Sequence, residues 1–120
     1  MEIAKKAALK SEFGKFRHGA VLVKGGTVRN ISVNANSFCS FGERFRTQPG
    51  HATIHAEIGC ILGIDKSVTD GATVYVARIN KHEDYRLSKP CPMCESALRY
   101  VGIKKVVYSI DENEVGVFKL

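Results

Sequence analysis

Little in this chain of 120 residues divides it into parts: it holds three prolines, no Pro/Ser/Gly-rich linker and no internal repeat. A single domain over residues 1–120 is expected, of a size that buries roughly two thirds of its unfolded surface. Long apolar runs are missing. None approaches the ~20 residues of a membrane helix, so a helical span is excluded. Met1-Glu2-Ile3-Ala4-Lys5-Lys6 has neither the apolar stretch nor the cleavage site of a secretory signal. Cysteine is scarce, with four in all. Cys91 and Cys94 form a C-x-x-C with a distant histidine, a spacing that favours a metal over disulfide bridges and a reducing, cytoplasmic setting. Cys39 and Cys60 read as unpaired thiols, Cys60 as a small packing residue.

Acidic residues are thin in the first half. Nine of the 18 Lys/Arg but only three of the 12 Asp/Glu lie in residues 1–50, and the remainder balances, so the net charge of +6 belongs to that half. Such a bias suits an anionic substrate, from a nucleotide phosphate to a nucleic-acid backbone, and equally a solvated basic surface.

What the chain does have is His55-Ala56-Glu57 followed by Pro90-Cys91-Pro92-Met93-Cys94. Zinc favours imidazole nitrogen and thiolate sulfur, and one His with two Cys leaves a fourth tetrahedral position for water. Zinc brings the pKa of that water toward ~7. A carboxyl group beside it can shuttle protons rather than bind the metal. His55 and Glu57, two apart, would diverge by about 200° in mid-helix, so the metal must lie off a helix N-terminus. Cys91 and Cys94 fall on nearly one face of a second helix's first turn. Both positive helix ends would then face the metal and its thiolates.

The two motifs together resemble the zinc-dependent nucleobase deaminases, the cytidine/deoxycytidylate deaminase superfamily. The likeness extends to His18–Val23, Val33–Ser37, Gly71–Val76 and Gly102–Tyr108, roughly residues 15 to 110. It implies one Zn2+ per chain held by His55, Cys91 and Cys94, with Glu57 as catalytic acid/base. It further implies that the Ala56 backbone amide meets the base and that Asn36, with Asn34 as the alternative, meets sugar or base. The turn reading of either Asn stays open. The implied reaction is cytosine to uracil in a free nucleoside or nucleotide, in a homo-oligomer. The alternative substrate is cytosine or adenine in single-stranded DNA or RNA.

Residues 2–13 read as an amphipathic helix, and 18–24 and 27–35 as strands around the hairpin signal Gly25-Gly26. Residues 36–50 read as a loop whose Phe38, Phe41, Phe45, Arg44 and Arg46 suit base stacking and phosphate contacts, or an interface. A helix over 51–63, a strand over 72–79, a helix over 90–100 opened by Pro90, and strands over 103–109 and 115–120 follow. This order gives an α/β fold, a three-layer α/β/α sandwich with a mixed five-stranded sheet. Only four residues separate the last two strands, too few for a helical crossover, so the last strand should run antiparallel.

Within the superfamily an antiparallel last strand resembles the free-nucleoside deaminases, whereas the His of His-Ala-Glu resembles the deoxycytidylate enzymes. Ser88-x-Pro90-Cys91 resembles the polynucleotide cytidine deaminases, and the inserted segment 80–89 is expected to wall the pocket, with Ser88 touching substrate. His51 stands four before His55, also a ligand spacing. A closed site of His51, His55, Cys91 and Cys94 would be structural zinc in a nucleic-acid-binding module without chemistry. Otherwise His51 lines the pocket or packs at the helix entry.

Overall fold

The computed structural model describes residues 1–11, 17–38 and 53–120. Its strands are β1 (Arg17–Lys24), β2 (Thr27–Val33), β3 (Ala35–Phe38), β4 (Thr53–Ile54), β5 (Thr73–Ile79), β6 (Tyr85–Arg86), β7 (Lys105–Ser109) and β8 (Val115–Lys119). Its helices are α1 (Glu2–Ala8), α2 (Ala56–Gly59), α3 (Lys66–Thr69) and α4 (Pro92–Tyr100).

Five strands line up as β2-β1-β5-β7-β8, the mixed sheet expected from the sequence. β1 is antiparallel to β2 and β5, and β5 is parallel to β7 through the α4 crossover. β8 is antiparallel to β7, as the short connection requires. Gly25 and Gly26 both have positive φ (61° and 76°), the pair of left-handed residues that a type I′ hairpin turn needs.

Strand alternation sorts the core into two layers. Ala20 and Leu22 of β1, with Val74 and Val76 of β5, pack with Ala56, Ile58, Met93, Cys94 and Leu98 of α2 and α4. The opposite parity, Val21 and Ala77, packs with Ala4 of α1. α1 lies so close that a side chain on Gly19 would run into Ala4 O and Ala8 N. Helices thus cover both sheet faces, the layering that buries a central sheet.

Several boundaries differ from the sequence reading. α1 ends at Ala8, and residues 12–16 lie outside the described ones. Residues 36–38, read as the start of a loop, join Ala35, read as the end of the preceding strand, in β3, which pairs with β4. α2 starts at Ala56 rather than 51, because His55 is extended (φ −78°, ψ 151°). α3 was not expected; Asp65 caps it, its carboxylate accepting from Ser67 N at 3.0 Å. The inserted segment forms β6, a sixth strand that pairs with the end of β5.

Candidate metal centre

Two helix beginnings build the centre. His55 is the N-cap of α2, its carbonyl accepting from Gly59 N at 2.9 Å. Cys91 is the N-cap of α4, also extended (φ −71°, ψ 165°), and Pro92 rather than Pro90 takes the first helical position. A proline suits that place because the amide there has no helical acceptor. Cys94 follows in the first turn and is fully buried.

The three side chains meet. His55 Nδ1 lies 3.2 Å from Cys94 Sγ and 3.7 Å from Cys91 Sγ, and all three ligand atoms fall within 4.8 Å of one another. Zinc–nitrogen and zinc–sulfur bonds of about 2.0–2.3 Å in a tetrahedron leave neighbouring ligand atoms roughly 3.5 Å apart. The donor set therefore fits zinc. Among the described residues this is the one such group of His, Cys and acid side chains.

The thiols already behave as a ligand pair. A hydrogen bond from Cys94, then one from His55, lowers the Cys91 pKa to about 4 against the effect of burial. The same bond to Cys91, with burial, raises Cys94. The two thiols thus share a proton through their hydrogen bond, and a metal binding both would displace it. The bond to Cys91 also raises His55.

Glu57 interacts with His55, Cys91 and Cys94 and is 3% exposed, with no hydrogen-bond partner for Oε1. Burial raises its pKa above the ordinary carboxylate value. A buried carboxyl oxygen without a partner is costly, and acids perturbed in this way cluster at functional sites.

A family model described as the cytidine and deoxycytidylate deaminase zinc-binding region matches residues 1–110. The chain belongs to this family. It is an enzyme of the zinc deaminase type, which sets aside the zinc module without chemistry. The deoxycytidylate deaminase of Mycobacterium phage D29 is 30% identical, over 88% of each chain. In fold the chain resembles the dCMP deaminase of cyanophage S-TIM5 in its apo form (TM-score 0.62, 20% identity, 89% of this chain and 76% of that one). RibD of Acinetobacter baumannii is similar over 88% of this chain but only 24% of its own length (TM-score 0.51, 21% identity). No helix among the described residues is long and apolar enough to cross a membrane.

The remaining expected contacts fare differently. Ala56 is buried at the first position of α2, beside His55. Asn36 lies in β3, but its side chain, like Arg46 and His51 altogether, falls outside the described residues. Asn34 accepts hydrogen bonds at Oδ1 from His18 N and Ser11 Oγ, which fixes the start of β1. Ser88 faces inward. It is 3% exposed, and its hydroxyl lies 2.9 Å from Val76 O and from Ser109 Oγ and accepts from Ser109 N at 2.8 Å. It ties β5 to β7 from within. Lys89 lies over the Phe118 ring, 5.2 Å from its centre. Missed in the sequence were His18, whose ring interacts electrostatically with His55 and Cys91, and Arg78, which the β1–β5 register sets opposite His18. Their matching places two residues before Ala20 and two after Val76 were the available signal.

Proposed function

We propose that this enzyme hydrolytically deaminates cytosine in a small nucleotide of the deoxycytidine monophosphate class, with one zinc per chain. Support for the small substrate comes from the phage relative, a deoxycytidylate deaminase, while the basic N-terminal half suits an anionic substrate of either size. The short antiparallel β7–β8 unit is consistent with it. The observation that carries the chemistry is the buried Glu57 carboxyl, with Oε1 unpartnered, interacting with the His55–Cys91–Cys94 group.

His55, Cys91 and Cys94 would hold the metal, which when bound would supply the charge that makes water acidic enough to attack at neutral pH. Glu57 accepts the proton of the attacking water. It hands that proton to the ring nitrogen; a second transfer, of the remaining proton on the added hydroxyl, goes to the exocyclic amine, so that the C–N bond breaks, ammonia leaves and the carbonyl of uracil forms. The Ala56 amide orients the base, and Asn36, His51 and Arg46 complete the pocket. The protein acts in the cytoplasm as a homo-oligomer of single-domain chains.

Ammonia release from cytidine, deoxycytidine, their monophosphates, adenosine and single-stranded oligonucleotides, at low and high salt, tests the reading. Turnover of the monophosphates above all others is expected. Turnover of oligonucleotides alone, falling steeply with salt, overturns it in favour of a polymer substrate.

A further inference from the structure

Three basic side chains stand in one row across β1, β5 and β6. His18 is the cross-strand partner of Arg78, and Arg78 is the partner of Arg86. Directly opposed residues share a face of the sheet. That face is the metal face, because Ala20, Leu22, Val74 and Val76, in step with His18 and Arg78, pack against Met93 and Cys94 of α4. Tyr85, of opposite parity, lies on the other side beneath Lys5 of α1.

The row meets the ligands at its His18 end, whose ring interacts electrostatically with Arg78, His55 and Cys91. It opens outward at the other end: His18 and Arg78 are half-buried and Arg86 is exposed. The backbone under the two arginines is pinned. Ser109 Oγ accepts from Arg78 N at 3.2 Å and donates to Arg86 O at 2.6 Å. Arg86 also reaches back to Tyr85 O at 3.4 Å. Guanidinium forks match phosphate oxygens, so two arginines side by side on this face suit a phosphate ester.

We propose that Arg78 and Arg86 form the subsite for the substrate's phosphate ester, with His18 spanning the gap between that subsite and the metal ligands. Neither arginine belongs to the zinc motifs; the segment 80–89 brings Arg86 into place by folding back as β6. The proposal rests on the reading of a nucleotide substrate given above.

The test uses the zinc-loaded protein with Arg78→Gln and, because Arg86 is exposed and its replacement spares the fold, Arg86→Gln. For deoxycytidine monophosphate, KM should rise about 10- to 100-fold, the loss of one charge-assisted hydrogen bond, with kcat changing far less. Turnover of deoxycytidine should stay at the parent level. In calorimetric titration, deoxyuridine monophosphate should bind the variants more weakly by a similar factor, and deoxyuridine as before. Equal losses on nucleotide and nucleoside, or unchanged binding of deoxyuridine monophosphate, overturn the proposal. So does a loss confined to single-stranded oligonucleotides, which would assign the arginines to a polymer backbone. A parent protein that deaminates no cytosine compound refutes the nucleotide-deaminase reading instead, and the titration still decides the subsite.

Discussion

His55 Nδ1 faces Cys94 Sγ at 3.2 Å, although the two residues lie 39 positions apart and each sits at the beginning of a different helix. This convergence, with Cys91 at 3.7 Å from the same nitrogen, is what the α2 and α4 starts are arranged to produce. Purified protein should carry about one zinc per chain, and Cys94→Ala should lose it. Metal analysis and a melting curve check this: zinc content near zero and a lower Tm are expected for the variant. Zinc loading should also release protons, since the proton shared between the Cys91 and Cys94 thiols must be given up.

His18 makes stability depend on pH in a definite direction. Burial first, then the Arg78 charge, lowers its pKa from 6.5 to about 4. The unfolded chain binds a proton near pH 6.5 and the folded chain only near 4. Stability contributed by the neutral ring is therefore present above pH 6.5 and lost as pH falls toward 4. Denaturant titrations across that window should show His18→Asn losing less stability on acidification than the parent. Parallel profiles for the two proteins would contradict this.

Ser88 separates a structural role from a substrate contact. Ser88→Ala leaves Ser109 N without its acceptor and should cost about 1–3 kcal/mol, read as a fall in Tm. KM should hardly change. A raised KM at unchanged Tm would return Ser88 to the pocket wall expected from the sequence.

The His55–Cys91–Cys94 group was legible because metal chemistry restricts residue types and spacing so tightly that two short motifs suffice. The antiparallel β8 was legible from the length of its connection alone. The start of α2 was not, since Ile54, Ile58, Ile61 and Leu62 keep a helical period while His55 takes an extended backbone to cap the helix. The β3–β4 pair was hidden because a two-residue strand carries no alternation to read. The inward turn of Ser88 and the row of His18, Arg78 and Arg86 depend on strand register, which no local pattern in residues 80–89 announces.

Glu57→Gln is the sharpest single change, because it keeps the shape of a buried side chain and removes its proton chemistry. Zinc content and Tm should stay at or above the parent values, since the raised acid is costly to bury. The deciding measurement is ammonia release from deoxycytidine monophosphate by the zinc-loaded parent and by this variant at equal zinc content. The account predicts turnover by the parent and a fall of about 10²- to 10⁴-fold or more in Glu57→Gln. Comparable turnover by both proteins would contradict it.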